Sequence, residues 1–536
     1  MTAQQDALLR DIDTTGWARL ARLTVRTSRR RLVAWPVVVG LLVFATADAI
    51  PTLYGDAEAR AGYQASAGDS AATRVFNGRG YGLDTIGGIT AYELGFYTVL
   101  VLPVIALHLA IHLTRTQEAA GRFELLTAAR LGRTAPLLSA TVVVLGVAAL
   151  TAVLSLVGLV AAGLGSGALW YAAGIFLLVL AMAALGMVVA QVATDGQGAH
   201  GLGLLVIGVM FLVRALVDGL DVDLVWLSPL GWFAEIRPFG DPQVWPLVAL
   251  AVLAGLLVAV GSVVNVRRDL GGGVLAPRSG AANAPRRYGT PAGLTARLLR
   301  GTWIGWTAGS AVWALVIGAI SREMRELIES NPDMGAVIGA QGAEPEDLMV
   351  SVGGFFVALL ALGFVAHAVV RMAAEESSGR LGAVLSSSLP RTTWWFGTTG
   401  TVLCLAILQL LLGAVALGVG LWIGTGDATS VGTGLEVGVA YVTALILTGA
   451  VCALLAAVSP RLAGVAWAVF ALVMTIDFLG ETLDLPGWVV DLSPFQHVGR
   501  PPIDPVDSAA VVVTGLLAAA VLAASAFLFR RRDLAR

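Results

Sequence analysis

The chain has no lysine: all 34 of its basic residues are arginine. That absence removes every mechanism needing a lysine ammonium in this chain, a Schiff base among them. It also removes the P-loop, whose lysine reaches the β/γ-phosphates of a bound nucleotide. If ATP drives the protein, another chain binds it. Charge is scarce as well: 13% of the 536 residues are charged, about half the roughly 25% of a soluble domain. With a net charge of −2 there is no general attraction to polyanions, and no nucleic-acid partner is expected. Only two cysteines occur, Cys404 and Cys452. Both fall in apolar runs, which excludes a disulfide framework and makes them small packing residues. Arginine without lysine, with heavy alanine, glycine and valine use, points to GC-rich bacterial coding.

What the chain has in quantity is apolar surface: 57% hydrophobic residues and a mean hydropathy of +0.82. This excludes a disordered chain, argues against a soluble enzyme and fits a polytopic membrane protein. A spanning helix needs roughly 20 apolar residues. Twelve such runs occur, near 32–50, 93–113, 137–163, 168–192, 200–217 and 245–266, then 303–320, 350–371, 395–424, 433–457, 463–479 and 507–529. The expected fold is all-α with about twelve transmembrane helices. No cleavable signal peptide is read, because the first apolar run follows Arg31 and the arginines before it belong inside. With the N-terminus inside, the predicted inside segments hold 26 arginines, the outside segments 7, and Arg214 lies in a span. Only 10 of the 36 acidic residues fall inside. This positive-inside asymmetry puts both termini in the cytoplasm of a multi-pass plasma-membrane protein.

The chain repeats itself. Glu118, Gly121, Arg122 and Arg133 return as Glu376, Gly379, Arg380 and Arg391 at an offset of 258. Leu227-Ser228-Pro229-Leu230 returns as Leu492-Ser493-Pro494-Phe495, and Arg267-Arg268-Asp269-Leu270 as Arg531-Arg532-Asp533-Leu534, at offsets of 265 and 264. Six spans per half give both halves one orientation, and hence a parallel repeat about a pseudo-two-fold axis along the membrane normal. The expected parts are a cytoplasmic N-terminus over 1–31, a first six-helix half over 32–266, a polar linker over 267–302, a second half over 303–529 and a cytoplasmic tail over 530–536. A duplication kept only for packing explains the spans. It does not readily explain why charged inside residues are among the best matched.

The first inside loop carries Glu118-x-x-Gly121-Arg122-x-Glu124-Leu125-Leu126, followed by Gly132-Arg133. Glu118, Arg122 and Leu126 are spaced to share one helical face. A short charged helix beneath the membrane suits docking onto a soluble partner. The plainer reading is a solvated loop with a local ion pair worth a few tenths of a kcal/mol; the second copy, Glu375 to Arg391, counts against it. The pattern resembles the coupling-helix region of the type-two class of ATP-binding-cassette (ABC) exporter permeases. The longer layout, with two fused halves, outside Leu-Ser-Pro loops followed by Arg237-Pro238 and Arg500-Pro501, and Arg-Arg-Asp-Leu exits, resembles actinobacterial exporters of polyketide antibiotics. The resemblance covers nearly the whole chain. It implies docking segments at Glu118, Gly121, Arg122, Glu124 and Arg133, and at Glu375, Glu376, Gly379, Arg380 and Arg391. The second copy departs in having Gly382 for Glu124 and Val384-Leu385 for the leucine pair. The first lacks the proline that Pro390 supplies. The two halves would then dock unequally.

Residues 13–31 are amphipathic, with Arg19, Arg22, Arg26, Arg29 and Arg30 on one arc and Trp17, Leu20, Ala21 and Thr24 opposite. That suits an interfacial helix and resembles the elbow helix before the first span of this permease class. Thr290 as N-cap and Pro291 at the first helical position mark its second-half counterpart. Polar groups in spans are few. His108 and His112 have the spacing of a metal pair but no third ligand is apparent, so packing is preferred. Arg214 and Asp218 are expected to form an ion pair. Trp170, Trp303, Trp306, Trp394, Trp395 and Trp488 read as an aromatic belt.

The function implied is the membrane subunit of an ATP-driven exporter, not an enzyme. It would bind no cofactor itself; ATP and Mg would sit on a separate ATP-binding subunit, two copies per fused chain. The cargo implied is a lipophilic small molecule such as an antibiotic. An ion-coupled secondary transporter is the alternative, and would need acidic relays within the spans. A membrane-embedded lipid-modifying enzyme would need a converging catalytic constellation, and a scaffold for a soluble partner would need neither.

Overall fold

The computed structural model describes residues 13–68, 71–127, 131–268, 272–274, 283, 285–319, 321, 325, 345–479 and 486–533. Among these, twelve helices are long and apolar enough to cross a membrane. They are α1 (Trp17–Leu53), α2 (Tyr97–Ala119), α3 (Ala135–Ala161), α4 (Gly165–Val192), α5 (Gly196–Gly219) and α6 (Trp245–Arg267), then α7 (Pro291–Ala319), α8 (Met349–Ser377), α9 (Arg391–Thr425), α10 (Ser430–Val458), α11 (Pro460–Asp477) and α12 (Ser508–Arg531). All twelve expected runs lie on these helices. The chain divides into two compact units, 1–279 and 280–536.

Their outer faces are those of a protein in lipid. Leu41, Val157, Leu205, Leu256 and Leu516 are each more than half exposed, on helices whose other faces are packed. Exposed apolar surface on that scale has no place in water.

Within the first unit, α1 packs along α3, and α4 lies between α2, α3 and α6. Within the second, α7 packs along α9, and α10 along α12. Close approach in each first-with-third pair depends on small residues, as is usual where lipid gives helices no hydrophobic reason to associate. A Cβ on Gly158 would sit 2.9 Å from the Gly40 carbonyl oxygen, and one on Gly420 would sit 2.2 Å from the Leu315 carbonyl oxygen. The most buried helix differs between the units: α4 in the first and α8 in the second, 72% and 78% buried over their most apolar stretches.

Several local expectations change. Trp17–Leu53 is one unbroken helix of 37 residues, about 55 Å long against a hydrocarbon core of about 30 Å. No break in the helix separates an elbow from the first span; the arginine-bearing end is continuous with it, and Pro36 lies within the same helix. Thr290 caps α7 as expected, its Oγ1 accepting from Gly293 N at 3.1 Å. Trp394 and Trp395 are buried rather than interfacial. They stack on Phe529 with ring centroids 5.2 and 4.5 Å away, and Trp395 Nε1 donates to Ser525 Oγ, so they tie α9 to α12. Cys452 is buried and Cys404 exposed, both as free thiols.

Opposite the arginine-rich ends, the Ser-Pro motifs act as anchors. Ser228 Oγ donates to the Met210 carbonyl at 2.7 Å, tying its loop to α5. Ser493 Oγ donates to the Asp477 carboxylate at the end of α11. Arg214 and Asp218 form the expected pair at 2.9 Å, and Arg214 also donates to the Phe76 carbonyl at 2.8 Å. That bond fixes the folded connection between α1 and α2. Tyr81 of the same connection donates to Glu235; burial first, and that bond second, push its phenol up to about 12.

Candidate functional site

The expected single helix from Glu118 to Leu126 is interrupted: Arg115–Ala119 forms the last turn of α2, and a separate short helix runs over Arg122–Thr127. Gly121 breaks them with φ +69°, a conformation that costs a Cβ-bearing residue energy. Gly379 repeats the turn with φ +79°, between the end of α8 and a short helix Arg380–Leu385. In each case the glycine N–H donates to the carbonyl of the glutamate three residues earlier, at 2.9 Å. Glu118 and Arg122 therefore do not share a helical face.

Glu118 points inward instead. Its Oε1 accepts from Arg268 Nη1 at 2.8 Å and its Oε2 from Arg268 Nη2 at 2.6 Å. In the second unit, Glu376 Oε1 and Oε2 accept from Arg532 Nη1 and Nη2, both at 2.6 Å. These are bidentate guanidinium–carboxylate forks, the strongest common form of charged hydrogen bond. Both glutamates are buried. The two motifs that recur in the sequence are thus partners in space: the acid comes from the last turn of the second span of each unit, the base from the exit of the sixth.

The third recurring residue completes the arrangement. Arg133 Nη2 donates to the Arg268 carbonyl at 2.6 Å, and Arg391 Nη1 to the Arg532 carbonyl at 2.7 Å. The arginine opening the third span of each unit holds the backbone that presents the fork. The first unit has one more member, which sequence reasoning missed. Arg115 is fully buried, lies 3.3 Å from Glu118, and donates to the Ala190 and Gly272 carbonyls at 2.7 and 3.0 Å. Opposite charges at matched offsets in the repeat were the signal available for the forks; nothing comparable marked Arg115.

The remaining docking candidates lie outward. Arg122 and Glu124 are exposed, and Arg122 donates to Gln117. Arg380 is exposed and pairs with half-buried Glu375 through two bonds of 2.6 and 2.9 Å. Of the interfacial set, Arg19, Arg22 and Arg26 are exposed and Trp17 is half-buried. Asp269, Leu270 and Leu534, and the side chains of Leu125 and Leu126, lie outside what the structure describes.

The histidine pair has a third member after all. His108 Nδ1 and His200 Nε2 are 2.9 Å apart, and the His108 and His112 rings stack 6.0 Å apart. Among the described residues, no group of three or more His, Cys, Asp or Glu side chains is placed to hold a metal ion.

Two comparisons bear on this arrangement. Residues 289–530 match the family model for the multidrug efflux system permease Rv1217c, C-terminal domain. Over 531 residues the chain is 28% identical to the multidrug efflux system permease protein Rv1217c of Mycobacterium tuberculosis (strain ATCC 25618 / H37Rv), covering 97% of this chain and 95% of that protein. The chain, with its twelve spanning-length helices, is thus similar over nearly its whole length to a multidrug efflux system permease.

Proposed function

We propose that this chain is the membrane-spanning permease of an ATP-driven ABC exporter in the bacterial plasma membrane, with both termini cytoplasmic. Two separate ATP-binding subunits would hold ATP and Mg and dock beneath it. The two units would be parallel six-helix repeats about a pseudo-two-fold axis, contributing jointly to one pathway. The observation that carries the reading is the pair of buried forks, Glu118–Arg268 and Glu376–Arg532. Each makes one rigid body of a surface turn, the end of a second span, the start of a third and the exit of a sixth. A push on the exposed side of that turn, at Arg122 and Glu124 or at Glu375 and Arg380, is then delivered to three spans together. Such coupling is what an ATPase closing below would need to switch access from inside to outside.

The cargo would be hydrophobic or amphiphilic, in keeping with its relative in Mycobacterium tuberculosis, a multidrug efflux system permease. An ion-coupled carrier is less well supported. Of the acids at span ends, Asp218 is committed to Arg214 and Asp477 to Ser493. The test is co-expression with an ATP-binding subunit encoded nearby. Wild-type protein should co-purify with it, and Arg122→Glu combined with Arg380→Glu should weaken that association while the permease stays inserted. Undiminished association and efflux in the double variant would remove these residues from the docking surface.

A further inference from the structure

The basic extension of α1 does not stand alone in solvent. It and the end of α2 enclose a cleft of about 650 Å³. Arg26, Arg29, Arg30 and Arg31 line it from α1, His112 and Gln117 from the end of α2, and Arg122 from the short helix that follows. Among the described residues no carboxylate lines this cleft. Among the described residues the side chains of Arg26, Arg29, Arg30 and Arg31 have neither an acid partner nor a hydrogen-bond acceptor. At the same end of the unit Arg115 and Arg268, by contrast, are both paired with Glu118.

Five guanidinium groups around one cleft repel one another within the Debye length of about 8 Å at physiological salt. An anion placed among them relieves that repulsion, and guanidinium forks fit phosphate oxygens in particular. The cleft has an apolar continuation. Arg29, Val33 and Val37 follow one another at four-residue spacing along α1 and so share a face. Val33 and Val37 are 47% and 40% exposed, and Trp35 beside them 50%. A charged cleft opening onto a lipid-facing stripe matches a phospholipid, with its phosphate below and its acyl chains above.

We infer that this cleft binds the phosphate headgroup of an anionic lipid. The placement at the cytoplasmic surface rests on the proposed orientation. Because Gln117 and Arg122 share the site, the bound lipid would link the membrane surface to the first coupling segment, a link the function proposed above does not require.

The test is lipid retention by the purified full-length chain, read by native mass spectrometry after exchange into detergent with phosphatidylglycerol, phosphatidylcholine of the same acyl chains, or inorganic phosphate. Wild-type protein should retain phosphatidylglycerol over phosphatidylcholine. Arg29→Gln with Arg30→Gln should reduce that preference about tenfold or more, and Arg29→Lys with Arg30→Lys, which keeps the charge but not the fork, should reduce it less. Arg19→Gln with Arg22→Gln, on the same helix outside the cleft, should leave it unchanged. If the glutamine pair misfolds, Arg31→Gln alone carries the test. Equal retention of the two lipids by wild-type protein would overturn the assignment, as would equal loss in the Arg19/Arg22 variant. Retention of inorganic phosphate without lipid preference would overturn the lipid source. None of these outcomes depends on an ATPase, so the inference and the exporter reading fail separately.

Discussion

Glu118 and Arg268 are 150 residues apart in the chain and Glu376 and Arg532 are 156 apart, yet each pair closes a two-bond fork. A buried ion pair of this kind adds little net stability over apolar packing, but removing one partner strands the other and costs about 3–5 kcal/mol. Glu118→Ala and Glu376→Ala should therefore each lower the midpoint of thermal unfolding in detergent. Glu376→Arg with Arg532→Glu should recover part of the loss, since the charges are exchanged rather than removed; the same exchange in the first unit would set a new arginine beside Arg115. Thermal midpoints equal to wild type in both single variants would mean the forks hold nothing together. The sequence pattern marked all six residues of the two forks and their supporting arginines but placed Glu118 on one helical face with Arg122. Its true direction follows from Gly121, whose left-handed turn breaks the helix that the four-residue spacing implies.

At the scale of elements, hydropathy alone located all twelve helices, because a run of about 20 apolar residues has few other structures available. Which helices touch was not legible in that way. The pairing of α1 with α3 and of α7 with α9 depends on single glycines in a chain that has 64 of them. Gly158→Leu and Gly420→Leu should each cost at least the 1–3 kcal/mol typical of overpacking, because the new side chain meets backbone. Gly146→Leu on the same α3 helix should be tolerated, since nothing lies within 4 Å of a Cβ there. Size-exclusion profiles and melting in detergent distinguish these cases; equal behaviour of Gly146→Leu and Gly158→Leu would contradict the packing described. The tryptophans at 394 and 395 mark another limit of sequence reading. Proximity to a span end suggests the interface, and only Phe529, from a distant helix, draws them inside.

For the whole molecule, the distribution of arginine gave an orientation that labelling can check. Cysteines introduced at the exposed positions Asp241 and Asp504 should react with an impermeant maleimide in intact cells. One introduced at Ser386 should react only after permeabilisation. The opposite pattern would overturn the orientation, and labelling of all three positions from the same side would overturn the twelve-span topology. The same absence of lysine that removes a P-loop makes the central claim one about a partner: this chain transports only when a second protein supplies ATP hydrolysis. The most direct measurement is ATPase activity of the co-purified complex, reconstituted in lipid, with and without the permease forks intact. The account predicts a stable complex whose hydrolysis is coupled to efflux of a lipophilic compound, and loss of that coupling when Glu118 and Glu376 are both replaced by alanine. A permease that drives efflux with no ATP-binding subunit present would contradict it.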